Sequence, residues 1–394
     1  MTTARAASAP DALDRGAAAV SKPADTAAAV LVCLDFGDPD YEDSVAEIAR
    51  LAASAGARRT RLVRGSRARP DPKLYAGSGK VAAIGDAAAA LNAAFVIFNH
   101  ALSPAQQRNL ERELRLRVLD RTELILEIFA QRAQTSEGKL QVELAQLERL
   151  STRLVRGWTH LERQRGGLGK TGGPGETQLE LDRRYIARRV KVLRGKLESL
   201  QHRREVQRRA RARRDVLSIS LVGYTNAGKS TLFNALTRAG AYEADQLFAT
   251  LDTTTRRLHL DGAGEIVLSD TVGFIRELPH ELVAAFRATL EETVRADLLL
   301  HVVDSASPGR AQQAEDVNKV LAEIDAAAIP QIAVWNKTDL SGLAPGSERD
   351  EYGRISRVLV SARSGAGLAE LRGAITEAAR RRAAPAPAPQ SISL

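Results

Sequence analysis

The stretch Gly223-Tyr-Thr-Asn-Ala-Gly228-Lys229-Ser230 decides the fold of this chain. It matches the pattern G-x-x-x-x-G-K-[ST], follows the apolar run SISLVG and opens the amphipathic segment STLFNALTRA. A glycine-rich loop between a strand and a helix lets backbone N–H groups and the helix N-terminus surround a phosphate. The pattern therefore predicts a phosphate loop, with Lys229 reaching the β and γ phosphates and Ser230 binding Mg²⁺.

A second motif, Asn336-Lys337-Thr338-Asp339, follows the apolar run QIAVW and selects the base. A carboxylate at Asp339 accepts hydrogen bonds from the ring N–H and the exocyclic amine of guanine, whereas adenine has no such pair of donors. A polar site of this kind rejects the wrong base because its own group would stay unpaired. The run that follows ends in Ser361-Ala362-Arg363, a third base element that in isolation would be an ordinary strand-to-helix turn. Guanine nucleotides, GTP and GDP, are the predicted ligands.

A third motif, Asp270-Thr271-Val272-Gly273, ends the apolar run EIVLS. The carboxylate of Asp270 is expected to hold Mg²⁺ through water, and the Gly273 N–H is expected to contact the γ phosphate. The next residue is Phe274, where Ras-like enzymes have the glutamine that orients the attacking water. A phenyl ring cannot polarise water, so the four motifs together predict a GTPase with slow turnover, about 10⁻³ per second or less, that a partner accelerates.

The segment FATLDTTTRR lies between the phosphate loop and Asp270 and must contain the first switch. A threonine there should complete the Mg²⁺ shell, and the residues alone allow Thr250, Thr253, Thr254 or Thr255. The predicted nucleotide-binding residues are Gly223, Tyr224, Thr225, Asn226, Ala227, Gly228, Lys229, Ser230, Thr231, Phe248, Ala249, Thr250, Leu251, Asp252, Asp270, Thr271, Val272, Gly273, Asn336, Lys337, Thr338, Asp339, Ser361, Ala362 and Arg363.

Strand and helix patterns alternate on both sides of an all-helical middle region. They predict an α/β protein in which a P-loop GTPase domain, with a doubly wound and mostly parallel sheet, follows a small α/β domain and a long antiparallel helical hairpin. The expected ranges are a disordered tail at 1–27, the α/β domain at 28–134, the hairpin at 135–214, the nucleotide domain at 215–381 and a disordered tail at 382–394.

Two apolar series predict the seam of the hairpin: Leu140, Leu144, Leu147, Leu154, Trp158 and Leu161, then Leu179, Ile186, Val190, Leu193, Leu197 and Leu200. Between them the glycine-rich stretch RGGLGKTGGPG forms the predicted tip loop, and Glu176 is expected to start the second helix. From Arg183 to Arg214 there are fourteen Lys or Arg against two Glu, a net charge of +12, whereas the whole chain has +9, so the remainder carries −3. Such a concentration of like charge favours a polyanion partner, nucleic acid, over the alternative that this helix face is merely solvated.

The composition excludes several classes of protein. Of the 394 residues 44% are hydrophobic, which is enough for substantial cores, but no segment has the roughly 18 to 20 continuous apolar residues of a membrane span. The single cysteine, Cys33, lies in an apolar run and is expected to be a small buried residue in a reducing cytoplasm. A cytoplasmic monomer is the expectation.

Beyond these motifs the sequence resembles the HflX family of translational GTPases from about Val30 to Arg381. The resemblance rests on YAGSGK at Tyr75, FNHALSPAQQRNLE at Phe98, VLDRTELILEIFAQRA at Val118, GGLGKTGGPGETQLELDRR at Gly166 and DQLFATLDTTTRR in the first switch. One departure is Leu251-Asp-Thr-Thr-Thr-Arg256, where many members read LDPTTR.

The resemblance implies a partner and a metal ligand. Members of the family bind the large ribosomal subunit, and several split or rescue stalled ribosomes under stress. The resemblance also implies Mg²⁺ on Ser230 and Thr250, makes Lys229, Thr250 and Gly273 the expected catalytic group, and places the hairpin near the peptidyl transferase centre. A GTPase acting in RNA processing or ribosome assembly is the alternative.

Overall fold

The computed structural model of the chain describes residues 28–164, 174–212, 216–237, 246–279, 282–283 and 286–383. Of these, 28–102 and 106–121 form one compact unit, while 103–105 and the described residues from 122 onward form a second. The predicted tails lie outside the described residues, apart from two positions in the last helix. The division of the chain into three folded domains stays a prediction.

The first unit contains a four-stranded, fully parallel sheet in the order β2-β1-β3-β4. Its elements are β1 (Ala28–Asp35), α1 (Tyr41–Ser54), β2 (Arg59–Ser66), α2 (Ser78–Leu91), β3 (Phe95–Phe98), α3 (Pro104–Leu114) and β4 (Arg117–Asp120). This alternation of strands and helices agrees with the predicted small α/β fold, and α3 starts at Pro104, because proline is favoured at the first position of a helix. Strand β4 was not predicted.

The core of the first unit lies against the inner strands β1 and β3, as it should in a parallel sheet covered by helices. Val30, Val32, Val96 and Phe98 are fully buried there and pack with residues of α2. Cys33 is also fully buried, and burial raises the pKa of its thiol to about 12. The thiolate is therefore not accessible at neutral pH, and the structural interpretation of this cysteine is confirmed.

The next helices along the chain are α4 (Arg121–Arg132), α5 (Ser136–Gln164) and α6 (Pro174–Ala212), and apart from Arg121 they belong to the second unit. The predicted seam is present in its described part: Leu144, Leu193 and Leu197 are buried together, with Leu140, Leu147 and Val190 packed beside them. A 29-residue helix is about 44 Å long, more than the nine-residue link at 165–173 spans at about 3.6 Å per residue. Helices that pack along their lengths with so short a link must be antiparallel.

The predicted start of the second hairpin helix was wrong, and most of the predicted tip loop lies outside the described residues. Helix α6 starts at Pro174, two residues before Glu176, because proline at the first helical position has no N–H to leave unbonded. Pro174 and Gly175 of the predicted tip loop therefore belong to the helix. The rest of that loop, 165–173, lies outside the described residues, as do the side chains of Leu154, Trp158, Leu161 and Leu179.

The nucleotide-binding part of the second unit is built on a seven-stranded sheet in the order β10-β11-β9-β8-β5-β7-β6. The strands are β5 (Leu217–Gly223), β6 (Thr254–Leu260), β7 (Gly264–Asp270), β8 (Leu298–Asp304), β9 (Gln331–Asn336), β10 (Gly346–Arg349) and β11 (Ile355–Leu359). Only the two edge strands, β6 and β10, are antiparallel to their neighbours. The predicted doubly wound, mostly parallel sheet is confirmed, with β10 as an unpredicted seventh strand.

In the described part of this region the helices beside the sheet are α7 (Lys229–Thr237), α8 (Arg287–Val294), α9 (Arg310–Glu323), α10 (Thr338–Ser341) and α11 (Leu368–Ala383). The main core lies between the sheet and helices α7 and α11, where Phe233, Leu232, Leu371 and Ile375 are fully buried. Among the described helices, none combines the length and the apolar composition that a membrane span requires.

Candidate nucleotide-binding site

The phosphate loop joins the end of β5 to the start of α7, so its backbone N–H groups converge on the N-terminus of a helix. Asn226 and Gly228 have left-handed backbone conformations, with φ of 62° and 91°. Only glycine fits at residue 228, because a Cβ there would overlap the side-chain amide of Asn336. The loop thus has the close-packed, amide-lined shape that binds a phosphate.

Lys229 is buried at the first position of α7. Its Nζ donates hydrogen bonds to the carbonyl oxygens of Gly223 (3.1 Å) and Tyr224 (2.9 Å). Burial lowers the pKa of this amine to about 8, although the Asp270 carboxylate favours the charged form. Burial and the nearby Lys229 cation also lower the pKa of His301 to about 4, so this histidine is neutral at physiological pH.

Three oxygen-bearing side chains meet next to Lys229. Ser230 Oγ lies 2.7 Å from Thr250 Oγ1 and 2.7 Å from Asp270 Oδ2, and Thr250 Oγ1 lies 3.2 Å from the same carboxylate oxygen. The other oxygen, Asp270 Oδ1, is buried without a hydrogen-bond partner among the described residues. Burial raises the pKa of Asp270, while the bonds from Ser230 and Thr250 oppose this shift.

This set of two hydroxyls and one under-satisfied carboxylate fits Mg²⁺, which prefers oxygen ligands and keeps several of its waters. No group of three or more His, Cys, Asp or Glu side chains in the described part of the chain offers a metal site of another kind. Of the four candidate threonines, Thr250 is the one that lies against Ser230, whereas Thr255 bonds to Ser269 (3.1 Å) on the neighbouring strand.

The base motifs lie at the ends of β9 and β11. The Asn336 side chain, which is buried, donates to the carbonyl of Ala227 (2.9 Å) and accepts from the Ala362 N–H (2.9 Å). It therefore ties the phosphate loop to the third base element. Asp339 is exposed, and its Oδ1 accepts a hydrogen bond from Ser361 Oγ (2.7 Å), which leaves the other carboxylate oxygen for a ligand.

The third motif packs directly on the phosphate loop. The Phe274 N–H donates to the Gly223 carbonyl (3.1 Å) and the Thr225 N–H donates to the Phe274 carbonyl (2.7 Å), so the chain after β7 extends β5 by a short parallel bridge. The Phe274 ring is fully buried. The ring is not part of the lining of the cavity beside the phosphate loop, and a phenyl ring has no polar group with which to orient water.

A cavity of about 60 Å³ separates the phosphate loop from the first switch. Pockets for drug-sized and cofactor ligands have volumes of roughly 300 to 1,000 Å³, so this cavity must widen to admit a nucleotide. Most of the lining was predicted as nucleotide-binding, and Gln246 was not. The cavity is lined by Thr225, Asn226, Gly228, Lys229, Ser230, Thr231, Gln246, Phe248, Ala249, Thr250, Thr271 and Gly273.

The comparisons with known proteins agree with this geometry. The chain is 56% identical to the GTPase HflX of Escherichia coli (strain K12) over 351 residues, which are 89% of this chain and 82% of that protein. It is 46% identical to the GTPase HflX of Caldanaerobacter subterraneus subsp. tengcongensis, over 88% of this chain and 79% of the relative. The chain belongs to the HflX family of GTPases. It binds GTP and hydrolyses it, and the resemblance inferred from the sequence is confirmed.

Three family models together match most of the chain. A GTP-binding GTPase N-terminal model matches residues 42–130, a GTP-binding GTPase middle-region model matches 132–211, and a 50S ribosome-binding GTPase model matches 218–337. Among solved structures, the complex of SsGBP with GDP is similar with a TM-score of 0.51 and 25% identity, over 91% of this chain and all of that one.

Four residues of this HflX-family site that were predicted to bind the nucleotide do not direct their side chains into the cavity. Leu251 and Val272 are buried, and the Thr271 hydroxyl donates to the Leu221 carbonyl (2.5 Å) within the sheet. The Asp252 carboxylate bonds to residues 134 and 135 at the start of α5. Any contact of these four residues with a nucleotide must therefore use their backbone, or a different switch conformation.

The low pKa of Lys229 predicts a pH dependence for GTP binding. A phosphate stabilises the ammonium form, so binding must take up a proton once the pH exceeds about 8. We expect GTP affinity to be level below pH 8 and to fall by up to about tenfold per pH unit between about 8 and 9. Calorimetry in two buffers with different ionisation enthalpies counts the proton, and Lys229→Arg should abolish the uptake. Zero uptake by the unchanged protein at pH 9 would contradict the prediction.

Proposed function

We propose that this GTPase is a GTP-dependent factor of the large ribosomal subunit that acts in splitting, rescue or recycling of ribosomes under stress. The observation that carries the proposal is the presence, in one compact unit, of a guanine-nucleotide site and a long helix with clustered unpaired cations. The description of the matching family model as a 50S ribosome-binding GTPase supports the same partner. A cytoplasmic monomer that is partly bound to ribosomes is part of the proposal.

The charge on α6 supports an RNA partner. Arg189 pairs with Glu143 (2.6 Å) and Arg194 with Glu148 (2.7 Å) across the hairpin, so part of its charge is compensated. Other cations are exposed and have no ion-pair partner within the described residues: Arg183, Arg188, Lys191, Lys196 and Arg203. Unpaired cations at this density repel each other and are stabilised by a polyanion, here the phosphates of ribosomal RNA.

In the proposed GTP-bound state, Ser230, Thr250 and Asp270 would hold Mg²⁺. When bound, the metal neutralises charge on the β and γ phosphates. Lys229 leaves the two carbonyls of the phosphate loop and binds the same phosphates, and the Gly273 N–H contacts the γ phosphate. Asp339 and the third base element, Ser361 to Arg363, bind guanine. The Asn336 side chain orients the phosphate loop relative to this base element.

A GTPase acting in RNA processing or ribosome assembly is the second candidate, because a basic helix would serve such a role equally well. The two differ in the state of the RNA they recognise. A factor acting on mature ribosomes should prefer complete large subunits to their precursors, whereas an assembly factor should show the reverse.

Co-sedimentation with ribosomal subunits tests the proposal. We expect the protein to pellet with mature large subunits in the presence of a non-hydrolysable GTP analogue, and much less with GDP. Lys229→Ala is the control, since it should abolish the dependence on nucleotide. Pelleting that is equal with GDP and the analogue would exclude a γ-phosphate switch, and a preference for precursor particles would favour the second candidate.

The buried Phe274 predicts a low intrinsic rate. We expect single-turnover GTP hydrolysis by the free protein at about 10⁻³ per second or less, because no side chain at this position orients water. Large subunits should raise the rate by about 10²-fold or more by supplying or aligning that group. Turnover of several per second by the free protein would show that a group of the chain itself positions the water.

A further inference from the structure

Asp252 lies in the first switch, two residues after Thr250, and its carboxylate contacts the start of helix α5. Oδ2 accepts hydrogen bonds from the backbone N–H groups of Gln134 (2.7 Å) and Thr135 (2.9 Å), and Oδ1 accepts one from Thr135 Oγ1 (2.5 Å). These three hydrogen bonds join segments 117 or 118 residues apart in sequence, and a carboxylate acceptor makes each of them stronger than a bond between neutral groups.

Thr135 is at the same time the residue that caps α5. Its Oγ1 accepts a hydrogen bond from the Gly138 N–H (2.9 Å), and its carbonyl accepts one from the Lys139 N–H (3.0 Å). The Thr135 hydroxyl therefore connects the N-terminus of the hairpin to the first switch. A carboxylate at this place is also favoured by the dipole of a helix of 29 residues.

Gly138 in the first turn of α5 reflects the closeness of this contact. A Cβ at residue 138 would overlap Oδ1 of Asp252 and lie 3.3 Å from Thr135 Oγ1. Glycine is a poor helix former, and its use here keeps the carboxylate within reach of the capping threonine.

A second contact joins the first switch to α4, the helix that precedes α5. The Phe248 ring, buried in the first switch, packs edge-to-face on Phe129 of α4 at 4.8 Å, and Phe129 packs on Phe286, which follows the third motif, at 4.7 Å. Arg132 of α4 also bonds to Gln246. Phe248 has a φ of 56°, a conformation that non-glycine residues seldom adopt without surrounding support.

We propose that Asp252 is a positioning residue: by binding the N-terminus of α5 it holds Thr250 beside Ser230, and it couples the γ-phosphate switch to the helical hairpin. The inference rests on the proposed function in taking Thr250 as the Mg²⁺ ligand and the hairpin as the ribosome-binding element. Only Leu251 lies between Thr250 and Asp252, which are at most about 7 Å apart along the chain, so fixing the Asp252 carboxylate restricts the position of the Thr250 side chain.

The physical consequence is preorganisation. A protein whose first switch is already held in its binding position binds GTP more tightly than one whose first switch is free. Coupling is reciprocal, so a partner that reorients the start of α5 must also change the affinity for GTP. GDP has no γ phosphate and does not need Thr250, so its affinity should not depend on the contact.

Two variants break the contact from opposite sides, Asp252→Ala and Gly138→Ala. We expect each to weaken binding of Mg²⁺ with a non-hydrolysable GTP analogue by about tenfold and to leave GDP affinity within about twofold. Thr135→Val should act in the same way, and Thr135→Ser, which keeps the hydroxyl, should restore binding. Gly195→Ala is the matched control, because a Cβ at that exposed helical glycine meets no atom within 4 Å.

The affinities for the analogue and for GDP are measured for all variants by titration of the full-length protein. Thr250→Ala is measured beside them and is expected to show the same selective loss. If Thr250→Ala loses analogue binding but Asp252→Ala and Gly138→Ala match Gly195→Ala, the positioning role is wrong while the proposed switch stands. If Thr250→Ala has no selective effect, the proposed switch itself fails. Equal losses for GDP and the analogue in Asp252→Ala would reduce Asp252 to a structural residue and overturn the inference.

Discussion

Replacement of Asp339 by asparagine is expected to lower GTP affinity by about 10⁴-fold and to create affinity for xanthosine triphosphate. The carboxylate accepts hydrogen bonds from the two adjacent donors of guanine. An amide presents its own N–H to one of these donors, so one buried group in the complex would lose its partner. Xanthine has a carbonyl oxygen where guanine has its exocyclic amine, and that oxygen is a suitable acceptor for the new N–H. Equilibrium titration with fluorescent GTP and xanthosine triphosphate measures both affinities.

Ser361 provides the control for this exchange. Its hydroxyl donates to Asp339 Oδ1 at 2.7 Å and so orients the carboxylate without contributing to the choice of base. Ser361→Ala should weaken GTP by about tenfold and leave the preference over xanthosine triphosphate unchanged. If Asp339→Asn kept GTP affinity within tenfold and bound no xanthosine nucleotide, Asp339 would not be the residue that reads guanine.

The strands that could be predicted are those whose side chains are buried. The strands β5, β7 and β8 consist almost entirely of buried residues, and their apolar runs are visible in the sequence. Strand β10 has no buried residue, because it lies at the edge of the sheet, and so its sequence GSER gives no apolar signal. Strand β4 was missed for another reason: α4 starts directly after it, and no turn residue marks the boundary.

The nucleotide motifs could be predicted because each is a short, continuous segment with a fixed chemical task. Contacts between distant segments could not. Asp252 and Thr135 are 117 residues apart, and neither belongs to a recurring pattern that would have paired them. The one local sign was Gly138, a glycine in the first turn of a long helix, and its meaning depends on the position of Asp252.

For the basic helix α6, the sequence alone predicts more unpaired positive charge than the structure has. A count of charges gives fourteen cations against two Glu between Arg183 and Arg214, but it does not include the acidic residues that other parts of the fold bring to the same surface. Glu143 and Glu148 of α5 each pair with an arginine of α6. The cations that remain for RNA are those outside these pairs, which makes them the informative positions for mutation.

Neutralising three of these unpaired cations, by Arg188→Gln, Lys191→Gln and Lys196→Gln together, is expected to weaken binding to large ribosomal subunits by about 10²-fold or more at about 0.1 M salt. Each phosphate contact contributes about 0.7 to 0.9 to the slope of log affinity against log salt concentration. The slope of the variant should therefore be smaller by about two to three units. Filter binding or sedimentation over a series of salt concentrations gives both quantities.

The control removes an equal charge elsewhere in the same unit, by Arg295→Gln, Lys319→Gln and Arg354→Gln, three cations that are also exposed. Both variants have the same net charge, so a difference between them measures the position of the charge on α6 and excludes a general effect on solubility or long-range attraction. Equal salt slopes in the two variants would mean that α6 does not lie on the RNA. A loss of affinity in the α6 variant without a change of slope would mean that these side chains contact protein or bases, since only phosphate contacts release counterions.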